Sequence, residues 1–420
     1  MNSLIIINNS IRLNYNELLN QAINANKKTF IAYLHSEEII HQDQNCFHWV
    51  KQALGCFNNN INHNLHWVPY KDVDKFISDN NITQIFVNKF AGTEAQLFNK
   101  GLPNCTVIND FLLFNYDEVV NKQGEPYKVY TPFAKFIASL PVQQYSSHNQ
   151  DKLLKLLQLD ENYKFQNDQD TANYQNDDEP TEQSAISKLK GFLQNHINSY
   201  DIQRNMLDND NGTSKLSHYI NNGIISLRYV LQEAKKCRSS KGSETYIKEI
   251  YWREFSYHLL HHFNSLADKN FNSKFNNFPW GNNQEYIEKW KSGKTGYDII
   301  DAAMHELNTT GLMHNRSRMI TASFLTKNLL VDWRIGAQYF KEKLLDYNEA
   351  SNFAGWQWVA GSGADAAPYF RVFNPVLQAA KFDPSQKYRS KFLPTNYFCL
   401  PLVDLASSRD KALLAFEKIK

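Results

Sequence analysis

"GLMHNRSRMITASFLTKNLLVDWR", from Gly311 to Arg334, decides how the second half of this chain is read. Its apolar residues follow a helical period, and on a helix Asn315 and Met319 share one face with Arg316 three positions before Met319. Amide, guanidinium and thioether together make a polar but soft surface that suits a nucleobase-like ligand. Arg318 points elsewhere, placed for a structural ion pair with Asp346 of "LLDYNEASN" (Leu344–Asn352). Trp333 closes the segment, and a lone tryptophan near a helix end is more often core than site.

Downstream lies "NFAGWQWVAGSGADAAPYFRVFNP" (Asn352–Pro375), where Trp356 and Trp358 meet Gly361, Gly363, Ala364, Ala366 and Ala367 around Asp365. Large rings against small residues fit a flat aromatic ligand with a closely approaching backbone. Upstream, "EIYWREF" (Glu249–Phe255) sets Glu249 and Trp252 on one helix face. Two readings stand there: a surface pair of Glu249 with Arg253, or a carboxylate beside an aromatic platform for a base. "GTSKLSHYINNG" (Gly212–Gly223) has Thr213, Ser214 and Ser217 just before an apolar-periodic segment. This is either an ordinary N-cap or an anion-binding helix start. The histidines of "HLLHHF" (His258, His261, His262) have metal-face spacing without a zincin carboxylate, so helix surface or core is the reading.

The first part of the chain reads as α/β. Ser3–Asn8, Thr29–Leu34, Leu65–Tyr70 and Ile82–Asn88 are short apolar or β-branched runs separated by amphipathic stretches, which predicts βαβ units and a parallel sheet. No G-x-G-x-x-G follows the first strand. From about Leu140 to Glu182 the composition turns to Gln, Asn, Asp and Ser, the mark of a partly disordered linker wrapping between domains. The expected organisation is an α/β N-terminal, Rossmann-like domain over 1–136, a linker over 137–195 and an all-α domain over 196–420.

Composition narrows the function. The net charge is +2 over 420 residues, so a polyanionic partner must meet a local basic patch. Five scattered cysteines without a C-x-x-C pair argue against a disulfide framework, a zinc site and an iron–sulfur cluster. No run spans a membrane and no signal-like start is present, so a cytoplasmic protein is expected.

The ordered run "KTGYDIIDAAMHELNTTGLMHNRSRMITASFL…DWR…GWQW…DAAPYFRVFNP" resembles the flavin-binding helical domain of the photolyase/cryptochrome family, of the class I type that repairs cyclobutane pyrimidine dimers. The resemblance covers roughly Tyr200 to Pro384, continues more weakly through "LPLVDLASSRDKALLAFEK", and includes "YKVYTPFAKF" (Tyr127–Phe136) as the close of the N-terminal domain. It implies light-driven repair by electron transfer from photoexcited reduced FAD to a flipped-out dimer in UV-damaged DNA, by a monomer.

Residue by residue, the resemblance implies FAD contacts at Tyr200, Thr213, Ser214, Lys215, Leu216 and Ser217. Around the flavin ring it implies Arg318, Asp346, Asn348 and, facing N5, Asn352. Glu249, Trp252, Asn315, Arg316, Met319 and Trp358 match the dimer-contacting set, and Glu249 the group that hydrogen-bonds the thymine. Arg204 and Arg371 match phosphate grips, and Trp356, Trp333 and Trp280 an electron relay. Several positions depart from the family pattern: Lys215 stands for Arg, His218 for Pro, Asn348 for Asp, and only Arg12-Leu13 survives of the first-strand motif. Asn88 and Glu94 lie near the antenna position without the family's spacing, so a folate or deazaflavin antenna is expected to be absent or weakly held. A cryptochrome-type light sensor is the alternative. Against it stand the complete dimer-contact set and the lack of a signalling extension after Lys420. A (6-4) photolyase would carry histidines at Asn315 and Met319.

Overall fold

The computed structural model describes residues 2–36, 44–89, 102, 104–143, 147, 149–167, 174–366 and 371–420. Five strands, β1 (Asn2–Ile6), β2 (Lys28–His35), β3 (Leu65–Pro69), β4 (Ile82–Asn88) and β5 (Cys105–Ile108), form one sheet in the order β3-β2-β1-β4-β5. Every pairing is parallel. The helices Glu17–Ala25, Gln44–Asn60 and Val73–Asp79 carry the crossovers between the first four strands, as parallel pairing demands. Side chains alternate across the sheet. Leu4, Ile6, Val68 and Val87 pack with Phe76 on one face, while Ile5, Ile31 and Phe86 turn to the other.

That second face does not end at the sheet. It continues into Phe133, Phe192, Tyr219, Phe255 and Tyr257 of the helical half, so one core serves both. Polar ties fix the same junction. Arg12 and Asp110 form an ion pair of 2.5 Å, both essentially without solvent contact, and Arg12 also donates to the Gly223 carbonyl at 3.2 Å. Removing either partner would strand a buried charge, a change worth about 3–5 kcal/mol. Gly223 has φ +67°, and a Cβ there would lie 2.0 Å from the Asn9 carbonyl oxygen, so only glycine lets the two segments meet.

The rest is helical, with Lys241–His262 as its longest helix. That helix begins with a capping box between Ser240 and Ser243 and runs beside Tyr130–Ser139. Its histidines join the halves of the molecule: His258 meets the Tyr127 carbonyl, His262 the Tyr116 carbonyl and His261 the Asp117 carboxylate. Burial and the neighbouring imidazoles push His258 down to about 3, which keeps it neutral. Among the described residues no group of His, Cys, Asp or Glu is arranged to hold a metal ion.

Two differences from the sequence reading stand out. β5 is a fifth strand that the apolar pattern missed. The segment expected as a loose linker carries the helices Gln150–Leu156 and Glu182–Asn195, with Leu157, Phe165, Ala185 and Leu189 buried. Its backbone adds bridges at Thr29–Leu157 and His66–Lys164, so it lies along β2 and β3. Further on, Asp178 holds His218 at 2.8 Å and Lys188 at 2.7 Å. His218, where the family pattern has proline, thereby ties this segment to the Thr213–Ser217 loop, its ring also set edge-on to Trp49.

Candidate functional site

Two stretches meet beside the Lys241–His262 helix, one bonded to it directly and one through Asn205. Arg204, just past the Tyr200–Gln203 turn, reaches Glu249 at 2.5 Å. This overturns the pairing of Glu249 with Arg253, because Arg253 pairs with its neighbour Glu254 at 2.8 Å. Burial pushes the Glu249 carboxyl up, and Arg204 opposes that rise. Arg316 donates to Asn205 Oδ1 at 2.5 Å and lies over the Phe382 ring at 4.4 Å, which brings the Asn315–Ser323 helix to the same place. Asn315 and Met319 share the exposed side of that helix, Asn315 Nδ2 lying 4.0 Å from the Met319 sulfur. Trp252 is half-buried on the Lys241–His262 helix.

His314 sits between these groups and caps the Asn315–Ser323 helix by accepting from the Arg316 N–H at 3.1 Å. Its pKa falls to about 4, mainly through burial and then through Arg316, Arg318, Arg204 and Lys215. Two of these cations are paired with carboxylates, Arg204 with Glu249 and Arg318 with Asp346, which leaves Arg316 and Lys215 as the charges an anionic ligand would meet. Since Nδ1 accepts, Nε2 carries the proton, and that buried N–H has no partner among the described residues. His314 lines a cleft of about 110 Å³ with Thr213, Lys215, Glu306 and Tyr388. Sequence reasoning passed over His314 and Glu306. The only signal was their place beside "GLMHNR".

The Thr213–Ser217 loop is not an ordinary N-cap. The Ser217–Asn221 helix takes Leu216 at its N-cap position, and no side chain caps it. Ser214 Oγ receives the Tyr246 hydroxyl at 3.2 Å, and Lys215 is exposed with φ +51°. Tyr200 is buried against Phe192 and Tyr246 with Arg204 over its ring, so it packs the base of this region. The expected Arg318–Asp346 pair is present: both Asp346 oxygens accept from Arg318 Nη2, at 2.9 and 2.8 Å, and Asp346 is buried. Asn348 has local work. It caps the Glu349–Ala360 helix through the Ser351 N–H at 2.9 Å and donates to the Tyr257 hydroxyl. Asn352 donates to the Ala337 carbonyl at 3.1 Å. The hydroxyl-bearing loop with Lys215, the His314 Nε2–H, Arg316 and a buried guanidinium–carboxylate pair together fit a diphosphate-bearing aromatic cofactor.

Two of the small residues beside the tryptophans, Gly361 and Gly363, have a local role in the backbone. Gly361 is the left-handed C-cap of the Glu349–Ala360 helix, and a Cβ on Gly363 would lie 2.8 Å from the Trp358 backbone nitrogen. They let the chain turn tightly on its own helix end. Space for Trp356 comes instead from Gly336, where a Cβ would meet the indole at 2.1 Å. Trp356 packs on Phe340 and Trp290. Trp333 is fully buried, its indole N–H donating to Asn270 at 2.9 Å, and Trp280 is half-buried against Phe278. Trp358 is half-buried and Arg371 exposed, its carbonyl accepting from Lys327. Asn88 is spent internally on Asn8, Ser10 and Asp110, while Glu94 lies outside the described residues.

Known proteins resemble this chain in sequence and fold. Residues 3–146 match the family described as DNA photolyase, and residues 246–399 the FAD binding domain of DNA photolyase. The deoxyribodipyrimidine photo-lyase of Agrobacterium fabrum is 37% identical over 74% of this chain and 72% of its own length. That of Escherichia coli is 35% identical over 77% of this chain and 74% of its own. A bacterial class III photolyase structure from Agrobacterium tumefaciens superposes with a TM-score of 0.88 at 28% identity, over 100% of this chain and 97% of that one.

Proposed function

The chain belongs to the DNA photolyase family, its activity is light-driven DNA repair with FAD, and we propose that Arg204, Glu249, Trp252, Asn315, Arg316, Met319 and Trp358 receive the flipped-out pyrimidine dimer. The observation that carries this assignment is that Arg204 bonds Glu249, one turn before Trp252, while Arg316 bonds the adjoining Asn205, so three separate motifs come together. Arg371 is exposed and grips a flanking phosphate, as does Arg204 through the donors that Glu249 leaves free.

FAD, when bound, supplies the light-driven electron transfer. The chain's residues bind and orient around it. Thr213, Ser214, Lys215, Leu216 and Ser217 hold the diphosphate, with Tyr200 packed beneath. Arg318, Asp346, Asn348 and Asn352 line the ring, with Asn348 contributing an amide already fixed by its capping role. Glu249 presents a carboxyl whose raised pKa favours proton sharing with a thymine N3–H or carbonyl. Trp280, Trp333 and Trp356 pass an electron inward, an order supported by their falling exposure toward Trp333 and Trp356. We place the protein in the cytoplasm as a monomer. None of the five cysteines is in a disulfide, and no helix among the described residues is long and apolar enough to cross a membrane. An antenna chromophore is not part of this proposal, since Asn88 is committed to the fold.

The test is selectivity. Trp252→Ala should bring affinity for a dimer-containing oligonucleotide down toward that for undamaged DNA, with flavin content unchanged. Selectivity equal to the parent protein's would remove Trp252 from the site.

A further inference from the structure

Trp252 is not held by its own helix alone. The Tyr130 ring lies flat on its indole, with ring centroids 3.6 Å apart and planes 4° from parallel. Tyr130 opens the helix Tyr130–Ser139 at the end of the α/β half, whereas Trp252 belongs to the helical half. Both ends of the tyrosine are pinned. Its hydroxyl donates to the Lys248 carbonyl at 2.9 Å, one turn before Trp252, and its backbone N–H donates to Asp365 Oδ2 at 3.2 Å. Beneath the pair, Phe255 meets both rings edge-on, and Phe133 packs on Phe255. Burial and the nearby Glu249 push the Tyr130 hydroxyl up, so it stays a neutral donor.

An indole on a helix surface ordinarily keeps rotamer freedom, and a ligand that stacks on it must remove that freedom. Here one face is covered by a ring that is itself held at two points, so the plane is set before any ligand arrives. We propose that Tyr130 is a positioning residue for lesion recognition: it backs one face of Trp252 so that the opposite face is presented to a base of the flipped-out dimer. This rests on the reading of Trp252 as a lesion contact. It gives the α/β half a share in recognition, and through Asp365 it links the indole to the loop that follows the Glu349–Ala360 helix.

The experiment uses the FAD-loaded enzyme and two DNAs of one sequence, with and without a single thymine dimer. Tyr130→Leu fills the volume without a flat ring, Tyr130→Phe keeps the ring, and Trp252→Ala serves as reference. Tyr130→Leu is expected to weaken dimer binding roughly 2- to 10-fold, the span of one aromatic pair. Affinity for undamaged DNA and repair yield per bound dimer should stay at the parent values, and Tyr130→Phe should restore dimer affinity. Should Tyr130→Leu fail to retain flavin, Tyr130→Met replaces it with the same expectation. Equal losses on both DNAs would overturn the proposal, as would tighter dimer binding, which would place Tyr130 where the lesion goes. Loss in Trp252→Ala with none in Tyr130→Leu sinks this inference alone. No loss in either variant sinks the reading of Trp252 and this inference with it.

Discussion

Arg204 and Glu249, 45 residues apart in sequence, meet at 2.5 Å with both side chains largely shielded from solvent. The pair changes what each residue can do. Under the proposed assignment Arg204 would meet DNA already partly neutralised, and Glu249 keeps a counter-charge that limits its rise in pKa.

Salt dependence separates the two arginines. Arg371 is exposed and free to meet a phosphate, so Arg371→Ala should reduce the slope of log affinity against log salt by about one. Arg204→Ala should reduce it by less, because Glu249 already offsets part of that charge. Measured binding from low to physiological salt checks both. An unchanged slope for Arg371→Ala places the phosphate grip elsewhere.

The proposed relay predicts a split between two light reactions. Trp280→Phe should slow photoreduction of oxidised flavin at least several-fold and leave repair by chemically reduced enzyme near the parent rate. Trp280 is the better position to test, because Trp333 is fully buried and its indole N–H is bonded to Asn270. Equal loss of both activities would make these tryptophans core residues only.

Acidity gives a prediction from Glu306. Burial raises its carboxyl to about 7, with opposing help from the Tyr388 hydroxyl at 2.5 Å and the His314 N–H at 3.3 Å. A carboxyl raised in the folded state binds its proton more tightly there than in the unfolded chain. The stability it contributes is full below the ordinary value of 4.5 and is lost as pH rises through about 7. Glu306→Gln should therefore flatten denaturant stability between pH 5 and 8, by an amount on the order of 1–3 kcal/mol. Parent-like pH dependence in that variant would contradict the assignment.

Much of this was legible in the chain, for identifiable reasons. Four strands announce themselves because they are buried on both faces and read as apolar runs. β5 escapes because it is four residues long, with Thr106 and Val107 exposed at the sheet edge. The Arg318–Asp346 pair is legible because the flanking motifs fix its ends. The Glu249 partner is not, since Arg253 one turn away is the cheaper local choice and only the fold brings Arg204 in. Tyr130 and Lys248 are 118 residues apart, so nothing local marks the aromatic stack built there. The polar stretch after Leu140 reads as linker because its buried anchors, Phe165 and Leu157 among them, are isolated in a hydrophilic background.

The most direct measurement is repair itself. Purified protein, with its flavin chemically reduced, is mixed with an oligonucleotide carrying one thymine dimer and held in blue light or in darkness. The account predicts restored thymines only in the light, from protein carrying about one FAD per chain, with Trp252→Ala strongly impaired at limiting DNA. Full flavin loading with no light-dependent restoration would contradict it.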